Sequence, residues 1–319
     1  MPHPAPPVAP TREDVVVAAE RTAGRVRRTP VIDVALPVGG REVPVTVKLE
    51  LLQHTGSFKP RGAFHRILTA PERPALVVAA SGGNHGLAVA HAARALGIDA
   101  EVFVPASAPA VKVEGIRARG ARVTLVGASY AEAAAASAER ASAPGALAVH
   151  AYDDPAVVAG QGTVALELSE QAPDLDTVLV ATGGGGLIGG IAAWYGTATR
   201  VVSVETRGAP TLHAALAAGR PVDVEVGGLA ADSLGARRTG EHGFASAVAA
   251  GVRAVLVSDE AVRAARRWLW QELRVTAEPG GAVALAALLD GAHVPADGER
   301  VGVVVCGGNA DPHDLSQPR

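Results

Sequence analysis

Thr177-Val178-Leu179-Val180-Ala181-Thr182-Gly183-Gly184-Gly185-Gly186-Leu187-Ile188-Gly189-Gly190 reads as a buried strand, a four-glycine turn and the start of a helix. A short run apolar on both faces suits a strand covered above and below, which is the situation in a parallel sheet. The same unit recurs outward from this point. Residues 200–205 and 301–305 are strand-like apolar runs, the first separated from 177–181 by a helical stretch. Upstream, residues 75–80 form such a run, then Ser81-Gly82-Gly83-Asn84-His85-Gly86 and a helix over 87–96. Strands at 101–104, 121–126 and 146–150 alternate with helices from about 109 and over 130–142. Val45-Thr46-Val47-Lys48-Leu49-Glu50 alternates as a strand, with Lys48 and Glu50 pointing the same way. Strands alternating with helices of this length predict an α/β fold of parallel βαβ units covered on both faces. Aromatic content of 3% implies a core of Val, Leu, Ile and Ala.

Composition narrows the function. A 319-residue chain is long for one core, so one large or two closely joined domains are expected. The formal charge of −3, with scattered arginines, leaves no basic footprint for nucleic acid. A single cysteine, Cys306, excludes an internal disulfide framework and a Cys-based zinc cluster, and the ten histidines show no ligand spacing. No run of eighteen apolar residues suggests a membrane span. Residues 1–11 are proline-rich without an apolar signal region and read as a disordered tail. A cytoplasmic protein acting on a small molecule is the consistent expectation.

The glycine turn at 183–186 brings backbone amides and a helix N-terminus together, which suits a phosphate, although it could also be only a tight turn. Gly184, Gly186 and Gly189 also satisfy G-x-G-x-x-G, and Glu205 ends the next strand roughly twenty residues on, as in a nicotinamide site. Other residues weigh against a nicotinamide. Only three lysines occur, and Lys59 sits in Gln53-His54-Thr55-Gly56-Ser57-Phe58-Lys59-Pro60-Arg61-Gly62-Ala63. A desolvated lysine loses its proton and can attack a carbonyl, whereas arginine stays charged. Lys48 and Lys112, by contrast, read as solvated or salt-bridged, Lys112 on the wet face of a helix. An aldehyde-bearing pyridine phosphate would use Lys59, the two glycine turns and the strand end Cys306-Gly307-Gly308-Asn309 together. A dinucleotide would leave three of these four without roles.

The phrases 56–63, 81–86, 183–187, Glu278-Pro279-Gly280-Gly281-Ala282 and 306–309 occur in an order that resembles the fold-type II pyridoxal-phosphate enzymes. Within that group the chain is similar to the serine/threonine dehydratase (threonine ammonia-lyase) family. The resemblance implies two parallel-sheet α/β domains of the tryptophan synthase β-like architecture. Residues 71–150 would form the small domain, and 12–70 with 151–319 the large one. It implies a Schiff base on Lys59, Phe58 against the pyridine ring, and Asn84 on the ring's 3′-oxygen. Gly183, Gly184, Gly185, Gly186 and Leu187 would cradle the phosphate, and Cys306 would face the ring nitrogen. Ser81, Gly82, Asn84 and His85 would receive the substrate carboxylate, with Lys59, Ser81 and Glu278 catalytic. A thiol at the ring nitrogen would not force its protonation, which suits β-elimination better than transamination. As an isolated residue, Cys306 would read as a small buried apolar side chain.

Departures from that family are equally informative. Racemases carry a second serine where this chain has Gly82, so racemisation is disfavoured. Metal-dependent relatives place a second acid where Thr211 stands, which leaves Glu205 and the Ala209 carbonyl as weak candidates and no metal as the expectation. Ala231-Asp232-Ser233 replaces a commoner Ala-Asp-Gly. The expected activity is pyridoxal-phosphate-dependent dehydration of a β-hydroxy amino acid such as L-threonine or L-serine, giving a 2-oxo acid and ammonia. Alternatives are β-replacement, racemisation and a non-catalytic cofactor binder. A homodimer is expected. The short polar tail after Asn309 implies no dedicated feedback site for isoleucine or valine.

Overall fold

The computed structural model describes residues 8–311 and 313. In chain order the elements are α1 (Arg12–Thr22), β1 (Val31–Val38), β2 (Arg41–Lys48), α2 (Pro60–Leu68), β3 (Leu76–Ala80), α3 (Asn84–Ala95), β4 (Asp99–Val104), α4 (Ala110–Arg117), β5 (Arg122–Leu125), α5 (Tyr130–Ala141) and β6 (Ala146–Ala148). They continue with α6 (Pro155–Gln171), β7 (Thr177–Ala181), α7 (Gly186–Tyr195), β8 (Arg200–Thr206), α8 (Thr211–Ala218), α9 (Glu241–Ala249), β9 (Arg253–Val257), α10 (Asp259–Leu273), α11 (Pro279–Leu289) and β10 (Val301–Val304). Two sheets result among the described residues, one in the order β1-β2-β10-β7-β8-β9 and one in the order β5-β4-β3-β6. Both are parallel except at β1, which pairs antiparallel with β2 across a tight Gly39-Gly40 hairpin. Neither that hairpin nor β9 stands out in the sequence. β1 is half exposed and mixed in polarity, as an edge strand is, so it lacks the apolar run that marks β7.

β7 and β10 lie side by side at the centre of the larger sheet and are buried along their whole length. Parallel strands direct their C-terminal ends to one edge, and in open α/β sheets ligands bind at that edge. Here both sheets contribute. Loops leaving β2, β7 and β10 meet the loop leaving β3 across a cleft. Helices α2, α3 and α6 pack between the sheets, so the cleft walls are held by apolar contacts of Ala63, Phe64, Val89 and Val157.

The expectation for residues 1–11 falls largely outside the described residues, but residues 8–11 depart from it. The Val8 carbonyl meets His242 Nδ1 at 3.0 Å, and Thr11 caps α1 in a reciprocal capping box with Asp14. The tail after Asp311 likewise lies outside the described residues apart from His313.

Lys48 is not solvated. It is fully buried, donating from Nζ to Glu167, Gln171 and the Thr29 carbonyl, each at 2.8 Å. Burial lowers its proton affinity, against the attraction of Glu167. Beside it Arg61, also fully buried, donates to both oxygens of Glu50 at 2.8 and 2.7 Å and to both oxygens of Glu167 at 2.8 and 2.9 Å. Burial disfavours the guanidinium charge, yet the two carboxylates more than compensate and hold its proton more tightly than usual. Two cations and two anions thus close a neutral group in the interior. Such a group tolerates burial only while every member is paired. Arg61→Ala takes the cation from Glu50 and leaves the buried group with a net negative charge, so urea unfolding should show a loss of about 3–5 kcal/mol. Arg117→Ala, which breaks an exposed pair with Glu114, should stay within about 0.5 kcal/mol.

Candidate active site

Lys59 is placed by the strand end beside it. After β10 the chain continues extended, and Ser57 bridges Gly307 while Phe58 N donates to Cys306 O at 3.1 Å and Gly308 N to Gly56 O at 2.8 Å. Pro60 then opens α2, its fixed φ and missing N–H suiting the first helical position. Lys59 Nζ reaches the cleft floor, donates to the Ala151 carbonyl at 2.8 Å and lies 5.1 Å from the centre of the Phe58 ring. Desolvation lowers it to about 8, against the pull of Cys306 and Glu278 when these are ionised. A substantial fraction of neutral amine is therefore present near physiological pH.

The glycine turn behaves as an anion cradle. Gly185 caps α7 at φ +92°, a left-handed conformation that side chains rarely adopt. The Gly183 carbonyl accepts from Thr211 Oγ1 at 2.6 Å and the Gly184 carbonyl from Gly240 N at 3.0 Å. These bonds hold the carbonyls of the turn from outside the cavity lining, and the first amides of α7, as at any helix N-terminus, have no partner within the helix. Tyr152 closes the turn from one side. A Cβ on Gly184 would fall 2.3 Å from its ring, and one on Gly186 would fall 3.0 Å from its Cα and Cβ.

Across the cleft, Asn84 opens α3 and links the two sheets. Its Nδ2 donates to Glu278 Oε1 at 2.6 Å, and its Oδ1 accepts from Asn309 Nδ2 at 2.7 Å, which also donates to Thr55 O. Glu278 is buried, and desolvation drives its carboxyl up to about 7 although Asn84 donates to it. A Cβ on Gly307 would sit 1.9 Å from Glu278 Oε1, so a side chain there would push the carboxyl out of its place. Cys306 is buried beside Gly280, with Sγ 3.6 Å from the Gly280 carbonyl, and desolvation pushes its thiol up to about 12. It is a neutral thiol, not a thiolate.

Ser81 Oγ accepts from Gly83 N at 3.1 Å at the mouth of the α3 turn. His85 turns away. Its Nε2 meets the Val149 carbonyl at 2.8 Å, and burial lowers the ring to about 3, so it remains neutral. What His85 offers the cleft is the amide of the second helical residue. Glu205 is spent on α8, accepting from Leu212 N at 2.8 Å and His213 N at 2.7 Å, with Thr211 Oγ1 3.0 Å away. Desolvation nonetheless raises it to about 7. Ala209 lies buried just before α8, its N–H bonded to Thr206.

Phe58, Lys59, Ser81, Gly82, Asn84, His85, Gly183 to Leu187, Glu278 and Cys306 all line one cavity of about 2220 Å³. Glu205 and Ala209 are outside it. Four of its features escaped sequence reading: the carbonyl of Ala151, Tyr152, Ser233, and Lys112 with Asp232 as an ion pair across the cleft. Lys112 is salt-bridged on an exposed face, as read, and the structure adds that its partner lies across the cleft. Only the unusual Asp232-Ser233 phrase hinted at any of these. The others depend on loops meeting in space.

Residues 23–307 match the pyridoxal-phosphate dependent enzyme family. The chain belongs to that family. It is 39% identical over 305 residues to the L-threonine ammonia-lyase of Geobacter sulfurreducens, covering 94% of this chain and 75% of that one. Among solved structures it is similar to maize serine racemase, with a TM-score of 0.90, 32% identity and 97% of each chain covered. The threonine deaminase of T.th. gives a TM-score of 0.86 and 35% identity, covering 95% of this chain and 99% of that one. Pyridoxal phosphate is the cofactor, and the cavity fits it. Its lining offers a deprotonatable amine, a glycine turn at a helix N-terminus, a flat apolar side chain and a neutral thiol. No carboxylate stands where Cys306 does.

For this pyridoxal-phosphate enzyme the raised Glu278 value has a stability consequence. Its folded value, about 7, lies above the ordinary 4.5, so its stabilising contribution is complete below 4.5 and is lost as pH rises through about 7. The apo-form of Glu278→Gln should therefore be more stable than wild type above pH 7, on the order of 3 kcal/mol. The difference should shrink to nothing near pH 4, as read by chemical denaturation across that range.

Proposed function

We propose that the protein dehydrates a β-hydroxy amino acid of the L-threonine or L-serine type, giving a 2-oxo acid and ammonia. The observation that carries this is Lys59. It is a desolvated, readily neutral amine facing a neutral thiol at the cofactor end of the cavity. Lys59 would hold the cofactor's aldehyde carbon, the amides at 183–187 its phosphate, and Phe58, Asn84 and Cys306 its ring. Bound there, pyridoxal phosphate supplies an electron sink that acidifies the substrate Cα–H. Ser81 Oγ and the first amides of α3 would orient the substrate carboxylate, since a helix N-terminus favours an anion. Lys59 Nζ, neutral in large part near pH 8, is the base for the Cα proton. Glu278, able to carry a proton near neutrality, holds Asn84 in place and keeps that end of the cleft protic without a fixed charge. The enamine formed on loss of the β-hydroxyl hydrolyses in water to the 2-oxo acid and ammonia.

Racemisation is the second reading, because the fold is similar to a serine racemase. It requires a proton carrier on the opposite face of Cα. At the position read for it stands Gly82, whose Cβ direction leads to Val104 at 3.0 Å and Ala108 at 3.9 Å, both without a transferable proton. Elimination is therefore favoured. The reading includes residues 71–150 as a domain that swings inward on substrate binding, a homodimer, and a cytoplasmic setting. Among the described residues no helix is long and apolar enough to cross a membrane.

Lys59→Ala should abolish ammonia release across a panel of β-hydroxy amino acids and remove the visible absorbance of the bound cofactor. Normal turnover in that variant would refute the mechanism. Apo-protein mixed with pyridoxal phosphate should bind it at a rate that rises with pH toward about 8 and then levels, following the neutral amine. A rate independent of pH between about 6 and 9 would show that the amine is not limiting.

A further inference from the structure

Helix α11 begins at the cleft with Glu278 in its N-cap position, yet the Glu278 side chain makes no capping hydrogen bond. An N-cap acid ordinarily accepts from the amide two or three residues on. Here the second helical amide, Gly280 N, donates instead to Ser233 Oγ at 2.9 Å, from a turn remote in sequence. That turn is closed by Ser233 N and Leu234 N, both donating to the Ala230 carbonyl, at 3.1 and 2.8 Å. Ser233 Oγ itself lies 3.3 Å from the same carbonyl, which orients its proton away from Gly280. The fit is close, because a Cβ on Gly280 would come within 2.6 Å of Ser233 Oγ. With its helix capped from outside, the Glu278 carboxylate turns the other way, to Asn84 Nδ2 at 2.6 Å. The carbonyl of the same Gly280 faces Cys306 Sγ, so one glycine joins Ser233 to two residues of the cofactor cleft.

We propose that Ser233 is a positioning residue: it takes over the cap of α11 and thereby keeps the Glu278 carboxyl directed at Asn84 and the cleft. The serine is the residue that sets this chain's Asp232-Ser233 phrase apart, and its hydroxyl serves the helix, not the substrate. Without it, Gly280 N is an orphan donor beside a flexible carboxylate, and Glu278 can rotate back to satisfy it. In that position the carboxylate gains the amide and the positive end of the helix, and loses Asn84. Its proton affinity then falls. The groups that face Glu278 are Asn84 at the start of α3, Lys59 before α2, Cys306 after β10, Asp232, and Lys112 on α4. Ser233→Ala changes none of their charges, so a shift at Glu278 would report its own rotation.

The proposal rests on the dehydratase reading for its kinetic arm only. Wild type, Ser233→Ala, Ser233→Gly and Ser233→Thr are compared as apo-protein and as holoenzyme. In the apo-protein the ¹³C resonance of the Glu278 carboxyl, assigned by its loss in Glu278→Gln, is titrated. Ala and Gly should lower its midpoint by about one pH unit, and Thr, which keeps the hydroxyl, should restore it. A crystal structure of Ser233→Ala should show Glu278 turned toward Gly280 N. In the holoenzyme, kcat for ammonia release should fall about tenfold with little change in KM, again restored by Thr. A lower melting temperature with an unmoved midpoint and an intact Asn84 contact would make Ser233 a structural cap only, and would overturn the proposal. So would equal losses in the Ala and Thr variants. If wild type releases no ammonia from any β-hydroxy amino acid, the dehydratase reading fails, while the titration and the crystal structure still decide the role of Ser233.

Discussion

Arg61 puts a permanent positive charge in the interior two residues beyond Lys59, and the surroundings are arranged to neutralise it. A guanidinium cannot shed its proton to escape burial. It therefore requires carboxylates, and Glu50 and Glu167 supply them from the end of β2 and from α6. Glu167 in turn draws in Lys48, the last residue of β2. One four-membered group thus ties β2, the first turn of α2 and the middle of α6 into a fixed frame. Lys59 stands at the edge of that frame, so its side chain emerges into the cleft from a rigid base. The orientation of a catalytic amine needs such support, because an error of about 1 Å in placement can cost orders of magnitude in rate.

The cleft itself works by desolvation. Lys59 is lowered, while Glu278 and Cys306 are raised, and loss of water is the largest cause in each case. The three groups drift toward their neutral forms, so the cavity has little fixed charge at the place where the cofactor's ring must sit. Charge is kept for the phosphate end, where the first amides of α7 and the helix terminus receive it. Asn84 and Asn309 carry hydrogen bonds from one side of the cleft to the other, and the exposed Lys112–Asp232 ion pair adds a second link across it. Motion of α3 and α4 against the larger sheet would therefore be felt at Glu278.

The parallel α/β organisation was legible because β7, β3 and β10 are short apolar runs followed by glycine turns, and their bounds agree with the reading to within a residue. The β1–β2 hairpin was not, because an edge strand alternates irregularly and has no apolar face to betray it. The reading of Lys48 left solvation open, and the structure decides for a buried salt bridge, since its partner lies 119 residues away in α6. His85 sits where the glycine turn placed it, but its imidazole is committed to Val149, a contact formed only when β6 and α3 come together.

The sequence alone determined which backbone shapes were possible and which residues could bear chemistry. Four consecutive glycines permit an open cradle, a lysine before a proline opens a helix at its amine, and a lone cysteine at a strand end supplies a neutral thiol. These are local consequences of residue type, so they survive without knowledge of the fold. The tertiary structure decided what each residue spends its polar atoms on. Glu205, read as a possible ligand, caps α8; Ser233 caps α11; Asp232 pairs with Lys112; Glu278 is left free to meet Asn84. The reason is that a hydrogen bond or ion pair is a property of two groups at one point in space, and folding alone brings those groups together.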